Sequence, residues 1–351
     1  MTLSIYEQKE WDRLQQRKAA SLRKQSKRLL PAKAHDRLSA AADKAKTAPG
    51  ADIVSAGYTT AARGLGRATA STGTRTVSSK YVIKQYQRAG HDIESLAGIQ
   101  QLDLSAVDAV AKLSRIRYGH SVLAAAGGFG SAAVVTGGEI LADAGTVAGA
   151  GAGAAPGLGT VAVAVLADAA GVLGLAARSV AATALYYGFD PHRPEEEIFM
   201  MSVIGLGMAS GTTAKTAAYS ELSQLTQLLA RSAPWAKLNE KVLTKIAQQF
   251  AAKFGQTLTK KKLGQFVPVA GMVVGAGLNY SVIDQISVAA HHAYRERFLI
   301  EKSGGKLSGT VDRATPSAQD DDVVDVIGLL REEDAFPTPD ARENRLLGEE
   351  A

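Results

Sequence analysis

Residues 144–167, AGTVAGAGAGAAPGLGTVAVAVLA, contain no Asp, Glu, Lys or Arg, and residues 118–138 and 263–283 share this property. By length alone each stretch is a candidate membrane span, since about 20 apolar residues cross a bilayer. However, Ala and Gly contribute little transfer free energy, and Pro156 and Pro268 interrupt two of the stretches. The composition therefore favours buried helices of a large core over membrane spans.

Four glycines recur at every fourth position of the first stretch: Gly145, Gly149, Gly153 and Gly157. On a helix they would share one face and let another backbone approach closely. Each glycine also costs about 1 kcal/mol relative to alanine inside a helix, and residues 148–159 are dense in glycine. We therefore predict a loop that leads into a helix.

That helix is predicted to begin near Leu158 or Thr160 and to continue to Tyr187. Gly188 is expected to end it, because glycine adopts the left-handed conformation that follows many helix C-termini without steric strain. The long apolar segment is thus predicted to be one helix with a defined end.

A second helix is predicted to start at Pro194, after a turn that Pro191 and Pro194 fix. The acidic run Glu195–Glu197 favours this start, because carboxylates interact well with the positive end of the helix dipole. Helical spacing also appears over residues 104–116, with Asp103 or Ser105 as the cap, and over residues 215–229.

The clearest apolar stripe follows Pro234 and repeats at every fourth residue: Leu238, Val242, Ile246, Phe250 and Phe254. Alternating apolar and polar runs bounded by turn pairs, which would indicate strands, are missing from the sequence. We predict an all-α protein: a single large helical bundle with Gly/Ala-rich buried helices.

Three regions follow from the composition: a basic helical segment over residues 1–50, a helical domain over residues 51–302 and an acidic tail over residues 303–351. The tail is expected to be flexible and disordered, because a polar acidic segment buries too little apolar surface to order itself. A short helix over residues 323–330 is the alternative within it.

The chain has 351 residues, 46% hydrophobic residues and no cysteine. These values predict a globular protein and exclude disulfides, thiol nucleophiles and cysteine-liganded zinc. The basic residues near Met1 are followed by further charge rather than by an apolar signal region. We therefore expect a cytoplasmic location.

Charge is strongly segregated along the chain. Residues 1–90 hold 18 Lys/Arg and 6 Asp/Glu, a net charge of +12, whereas residues 301–351 hold 6 and 13, a net charge of −7. A basic segment is typical of a site for phosphates or anionic lipid, and the alternative is a solvated surface. The predicted binding residues are Lys9, Arg13, Arg17, Lys18, Arg23, Lys24, Lys27 and Arg28.

The expected partner is an anionic membrane surface or a membrane protein. Nucleic acid is disfavoured, because the basic segment contains no recognisable docking motif.

Several local patterns occur in the order and spacing typical of one family: Tyr6-Glu7 with Trp11, Pro156-Gly157, Asp168, Tyr187-Gly188-Phe189-Asp190-Pro191 with Glu195–Glu197, Pro268, Gly271, Gly277 and Asn279-Tyr280. In this arrangement the chain resembles the EcsC protein family from about residue 5 to about residue 300. The family resemblance implies a link to transport or secretion and supplies no catalytic residues.

Asp168 stands alone among apolar neighbours and is the first candidate site residue. A buried carboxylate must be protonated, paired or bound to a cation. A structural role, in which it pairs with Arg178 or caps a helix end, is weighed against contact with a lipid headgroup, a proton or a metal.

His291 and His292 are adjacent, so on a helix they point about 100° apart and cannot both bind one metal unaided. A structural or surface role is expected for them, and a metal would also need Asp168, Glu195 or His120. Asp190 with Glu195–Glu197 is expected to be a capped helix start, with a paired-carboxylate acid/base site as the alternative. No cofactor or metal is expected.

The preferred function is a non-enzymatic accessory protein, peripherally associated with the cytoplasmic face of the membrane. The alternative is a hydrolase-like enzyme acting on a lipid or phosphorylated substrate through Asp168, Asp190, Glu195 or His291. Walker A, HExxH and GxSxG motifs are missing from the sequence, which disfavours common kinases and hydrolases. Convergence of these side chains in one concave pocket would favour the enzyme.

Overall fold

The computed structural model describes residues 3–23, 76–136, 158–209, 211–230, 235, 238–263, 271–307 and 326–335. Eleven α-helices and no strand occur in these residues, which confirms the all-α prediction. The predicted loop before Leu158 lies outside the described residues.

The helices are numbered here in chain order. They are α1 (Ile5–Arg23), α2 (Ser79–Arg88), α3 (Leu96–Gln101), α4 (Leu104–Ala111), α5 (Leu113–Thr136), α6 (Leu158–Tyr186), α7 (Pro194–Met208), α8 (Thr212–Ala230), α9 (Glu240–Leu263), α10 (Gly271–Lys302) and α11 (Val326–Glu332).

The longest helix, α10, is the centre of the bundle. It packs along α5 and also contacts α6, α7, α8, α1 and α3. Its side chains Ile286, Tyr294 and Phe298 are almost fully buried and belong to one continuous hydrophobic core. Neighbouring helices can therefore place polar groups against one shared surface of α10.

The directions of three helices follow from their contacts. Arg117 near the start of α5 pairs with Asp284 on α10, whereas Lys112, just before α5, lines the same cavity as Arg295 further along α10. These two helices therefore run antiparallel. In contrast, α6 runs parallel to α10, because Ser179 bonds to Ser287 and Tyr187, just past its end, bonds to His291.

These directions bring the helical parts of the three charge-free stretches to one end of the bundle. They are residues 118–136 of α5, 158–167 of α6 and 271–283 of α10, and we call them the apolar end. The sequence predicted each stretch separately, but not that they lie together.

Gly188 ends α6 as predicted. Its φ of +82° is left-handed, the Gly188 N–H donates to the Leu185 carbonyl at 3.0 Å and the Phe189 N–H donates to the Ala184 carbonyl at 2.9 Å. This is the Schellman arrangement, which satisfies the last carbonyls of the helix. A side chain at this glycine would also collide with the backbone of α3, since a Cβ would lie 2.6 Å from the Leu96 carbonyl oxygen.

The predicted start at Pro194 is also confirmed, because α7 runs from Pro194 with three glutamates in its first turn. All its side chains from Ile198 to Met208 are buried, so α7 is a core helix on every side. A Cβ at Gly207 would lie 2.6 Å from the Ile286 Cα, which shows how closely α7 approaches α10.

One local prediction was wrong. The helix predicted over residues 104–116 is broken at Lys112, a non-glycine residue with φ 40°, into α4 and α5. The N-terminal helix α1 is exposed over most of its surface, and one face buries Glu7, Glu10, Leu14 and Lys18. Ile5 is 88% exposed.

The expected disorder of the acidic tail is wrong for one segment. Residues 326–332 form α11, as the alternative predicted, and Val326, Ile327 and Leu330 are buried. This helix packs on α9 and α7, and Glu333 beyond its end pairs with Lys245. Residues 308–325 and 336–351 of the tail lie outside the described residues.

Candidate functional site

A polar cavity of about 430 Å³ lies where α1, α4, α5, α6 and α10 meet. Its charged and imidazole-bearing lining residues are Glu10, Arg17, Asp108, Lys112, Arg117, His291, His292 and Arg295. Hydroxyl groups also line it, from Ser114, Ser179, Thr183 and Ser287. A cavity of this size accommodates a small organic ligand.

Arg295 forms one wall of the cavity and holds both of its carboxylates. Its Nη1 and Nη2 donate to the two oxygens of Asp108 at 2.6 and 2.7 Å, and Nη2 also donates to Glu10 at 2.8 Å. The Tyr6 hydroxyl donates to Asp108 at 2.6 Å. Because the Arg295 side chain is only 6% exposed, this network joins α1, α4 and α10 as a structural ion-pair cluster.

The other cations of the cavity are less neutralised. Arg117 pairs with Asp284 outside the lining, at 3.0 Å between Nη2 and Oδ2. Arg17 and Lys112 are exposed and have no acidic partner within the described residues. The lining thus holds four cations and two carboxylates, a net charge of +2 with neutral histidines.

His291 and His292 both contribute to this cavity, although their rings leave the helix in different directions. Burial, followed by the positive charges of Arg295 and His292, lowers the pKa of His291 to about 3. Burial and the Arg17 guanidinium lower the pKa of His292 to about 4. Both imidazoles are therefore neutral at physiological pH, and His291 Nδ1 lies 3.2 Å from the Tyr187 hydroxyl.

The hydroxyl groups on the inner wall bond to one another and to the backbone. Ser179 and Ser287 are 2.7 Å apart, Ser287 donates to the Ile283 carbonyl and Thr183 donates to the Ser179 carbonyl. Within the described part of the chain no serine hydroxyl is bonded to either imidazole. The geometry of an activated nucleophile is thus not formed there.

The histidines and carboxylates of the cavity are also poorly suited to general acid–base catalysis. A base works best with a pKa near the working pH, and the pKa values of about 3 and 4 for His291 and His292 lie far below it. Glu10 and Asp108 already accept bonds from Arg295. The arrangement is better suited to holding a ligand than to transferring protons.

The predicted catalytic side chains do not gather in this cavity. Asp190 pairs with His192 at 3.0 Å, and Glu195 pairs with Arg193, so both make local contacts around the start of α7. His291 does line the cavity. Asp168 lies on α6, but its side chain is outside the described residues.

The carboxylates therefore form no shared acid/base centre in the described structure. His120, the other predicted partner for a metal, accepts a bond from Arg178 at 3.3 Å. No cluster of three metal-binding side chains is found in the described residues.

The predicted basic surface is only partly formed on α1. Lys9, Arg13, Arg17 and Arg23 are exposed. Lys18 is instead buried, with its ammonium 3.0 Å from Glu296 and over the Tyr219 ring, so its assignment to the surface was wrong. Lys24, Lys27 and Arg28 lie outside the described residues.

The motif residues divide between two places. Tyr187, Gly188, Asp190 and Pro191 build the connection from α6 to α7, where the Gln100 side chain donates to the Gly188 carbonyl at 3.0 Å. Gly271, Gly277 and the buried Asn279 lie on the first half of α10. Pro156, Gly157 and Pro268 lie outside the described residues.

Sequence reasoning missed most of the cavity residues: Glu10, Asp108, Lys112, Arg117 and Arg295. One signal was available, because Arg295 lies in a long helix whose neighbouring residues are mainly apolar, and buried arginines usually have acidic partners. The identity of those partners, on α1 and α4, could not be read from local spacing.

Comparison with known proteins matches residues 5–299 to the EcsC protein family. The chain belongs to this family. A relative from Bacillus subtilis (strain 168), named Uncharacterized protein YdbA, is 30% identical over 152 residues, which are 43% of this chain. This EcsC protein therefore spans about half of that relative, 52% of its length. No solved structure matches this EcsC protein.

Proposed function

We propose that this EcsC protein is a non-enzymatic accessory protein that associates peripherally with an anionic membrane surface on the cytoplasmic side. The observation that carries the proposal is the meeting of three charge-free helical segments at the apolar end of the bundle. Such a concentration of apolar sequence at one end suits contact with a lipid surface. The link to transport or secretion that the family implies is part of the same proposal.

The side chains described at this end support a lipid-facing surface on α5. Tyr118 is 65% exposed, Val122 is 43% exposed and Leu123 is 55% exposed. Gly119 and Ala126 on the same helix are exposed as well. Exposed apolar groups of this size, next to an interfacial tyrosine, are typical of proteins that rest in the headgroup region.

A positive charge borders the apolar end. Arg117, which is 47% exposed, immediately precedes Tyr118 on α5. Lys9, Arg13 and Arg23 are exposed on α1, which contacts the second half of α10 through the bonds of Glu7 to Lys302 and Glu10 to Arg295. Each basic side chain that comes near an anionic membrane contributes about 1 kcal/mol of attraction at physiological salt.

Peripheral contact is favoured over a membrane span. Among the described helices one window, Ala169–Tyr186 of α6, is long and apolar enough to cross a bilayer, and 67% of it is buried inside the protein. Core helices of soluble proteins have the same properties. Contact through the apolar end requires no helix to leave the bundle.

The alternative, a hydrolase-like enzyme acting on a lipid or phosphorylated substrate, has less support. It requires a carboxylate that is free to act beside a substrate. Glu10 and Asp108 in the cavity are bonded to Arg295, and Asp190 and Glu195 pair locally away from it. Of the other two candidates, His291 has a pKa of about 3, and the side chain of Asp168 lies outside the described residues.

Flotation of the purified full chain with lipid vesicles tests the proposal. We expect binding to vesicles that contain anionic lipid, weaker binding to phosphatidylcholine vesicles, and partial release as salt rises, because salt screens the cations but not the apolar contact. Cell fractionation with a high-salt wash followed by an alkaline wash provides the matched observation in cells. Binding to neither kind of vesicle, together with a wholly soluble protein in cells, would refute the proposal.

A further inference from the structure

We propose that the polar cavity between α1, α4, α5, α6 and α10 binds a phosphate group, with Arg17 and Lys112 as its direct ligands and Arg117 as a third cation. This inference goes beyond the proposed function and requires no bilayer, because it concerns a separate cavity whose ligands can be tested in solution.

The charge balance of the cavity is the first argument. Both lining carboxylates, Glu10 and Asp108, are bonded to Arg295, so neither is available to neutralise Arg17 or Lys112. Arg295 pairs with Asp108, Arg13 pairs with Glu10 and Asp284 pairs with Arg117, so Arg17 and Lys112 remain with a charge of +2 that a phosphate dianion would balance. A monocarboxylate would leave one positive charge uncompensated.

The backbone at Lys112 is the second argument. Residues 104–111 and 113–136 are helical on either side of it, and Lys112 breaks the helix with a left-handed φ of 40°. This conformation costs a lysine about 1–2 kcal/mol, and such strain is concentrated at binding and active sites. The break places Lys112 in the lining of the cavity, to which Arg17 of α1 also contributes.

The neutral hydrogen-bonding groups fit a phosphate as well. Exposed Ser114 lies in the lining two residues after Lys112, and its hydroxyl has no bonding partner within the described residues. His291 and His292 add imidazole nitrogens in their neutral form. Arg17 lies close enough to influence His292, since its guanidinium helps to lower the pKa of that imidazole. Cations and neutral donors therefore surround a space of about 430 Å³, enough for a phosphate with a small organic group.

The shared chemistry is a phosphate monoester, and it has two sources: a small soluble compound or the headgroup of a lipid such as phosphatidic acid. Calorimetric titration of the purified full chain at pH 7.5 and constant ionic strength distinguishes them. The soluble probes are inorganic phosphate and glycerol 3-phosphate. The lipid probes are vesicles of phosphatidylcholine with and without phosphatidic acid.

The site variants are Arg17→Gln and Lys112→Asn. Asparagine accepts the left-handed conformation at position 112, so loss of charge is separated from loss of folding. Lys9→Gln is the matched control, because Lys9 is an exposed cation of the same helix α1 that does not line the cavity. Unchanged thermal unfolding of all three variants verifies that the fold is intact.

We expect saturable binding of one phosphate probe per chain, weakened roughly tenfold or more by each site variant and less than about twofold by Lys9→Gln. Saturation by glycerol 3-phosphate identifies a soluble ligand. Binding of phosphatidic acid vesicles alone, with the same dependence on Arg17 and Lys112, identifies a lipid headgroup. Binding that neither site variant weakens, or no binding of any phosphate probe up to roughly 10 mM, overturns the assignment.

A chain that binds glycerol 3-phosphate but no vesicle would leave the phosphate site intact while refuting the membrane proposal. A chain that binds neither soluble phosphate probe, and whose wild type and site variants bind anionic vesicles equally well, would support the membrane proposal and refute the phosphate site. The two proposals therefore fail in distinguishable ways.

Discussion

Arg297 Nη1 on α10 donates a hydrogen bond to Glu196 Oε2 on α7 at 2.7 Å, and the two side chains are only 7% and 4% exposed. The other oxygen of Glu196 accepts a bond from the Tyr294 hydroxyl at 2.7 Å. The Arg297 guanidinium also lies 4.0 Å from the centre of the Phe189 ring. Of the acidic run that the sequence identified, the middle residue thus connects two core helices.

The first prediction concerns this ion pair. Glu196→Gln removes the carboxylate and leaves Arg297 buried with only Glu301 as an acidic partner, so we expect a loss of about 3 kcal/mol in the free energy of unfolding. Glu195→Gln is the control, because the Arg193 partner of Glu195 is 69% exposed and surface pairs contribute about 0–1 kcal/mol. Equal losses in both variants, measured by urea unfolding, would contradict this role.

The second prediction concerns pH and the two cavity histidines. Their pKa values of about 3 and 4 are lower than the unfolded value of about 6.5, so between these limits the unfolded chain binds more protons than the folded one. Stability is therefore complete above about pH 6.5 and falls as the pH is lowered towards 4. At pH 5 we expect each histidine to cost about 1–2 kcal/mol.

The variant His292→Gln isolates this effect from the carboxylates, which titrate in both proteins. Its melting temperature should fall less between pH 7.5 and pH 5 than that of the wild type. Parallel pH profiles for the two proteins would show that His292 titrates normally in the folded state.

The sequence predicted the features that depend on local spacing. The end of α6 at Gly188 and the start of α7 at Pro194 were both correct, because backbone conformation and capping act within a few residues. The buried face of α1 was not predicted. Glu7 and Glu10 face inward because Lys302 and Arg295 reach them from α10, nearly 300 residues away in sequence.

The cavity shows the same division between local and distant information. Its histidines were recognised as an adjacent pair, but their environment depends on α1 and α5 as well as on α10. The break at Lys112 was missed because residues 104–116 have continuous helical spacing, and lysine does not favour a left-handed conformation. Tertiary packing overrides the local preference there.

The third prediction tests the close contact between Gly188 and α3. Gly188→Ala combines an unfavourable φ of +82° with a Cβ only 2.6 Å from the Leu96 carbonyl oxygen, so we expect a loss of about 3 kcal/mol or more. Gly90→Ala is a matched control, because its φ is +89° and no atom lies within 4 Å of its added Cβ. It should cost only about 1–2 kcal/mol. Equal melting temperatures for the two variants would contradict the steric argument.

The fourth prediction concerns α11 in the acidic tail. Leu330→Ala removes a fully buried side chain from the contact with α9 and α7, and we expect a loss of about 2–4 kcal/mol. Glu332→Ala, an exposed position on the same helix, should change stability by no more than about 0.5 kcal/mol. A Leu330→Ala protein as stable as the wild type would show that α11 is not docked in solution.

The fifth prediction addresses the apolar end directly. Tyr118→Ser combined with Leu123→Ser removes two exposed apolar side chains from α5 while leaving its cations in place. If this face rests in the headgroup region, affinity for anionic vesicles should fall roughly tenfold or more, because each apolar side chain contributes about 1.5–3 kcal/mol when fully buried. Tyr81→Ser is the control, since Tyr81 is 59% exposed on α2, which packs beside Tyr186 at the opposite end of α6. Equal vesicle binding by both variants would place the lipid contact elsewhere, and it would leave the basic face of α1 as the remaining source of membrane affinity.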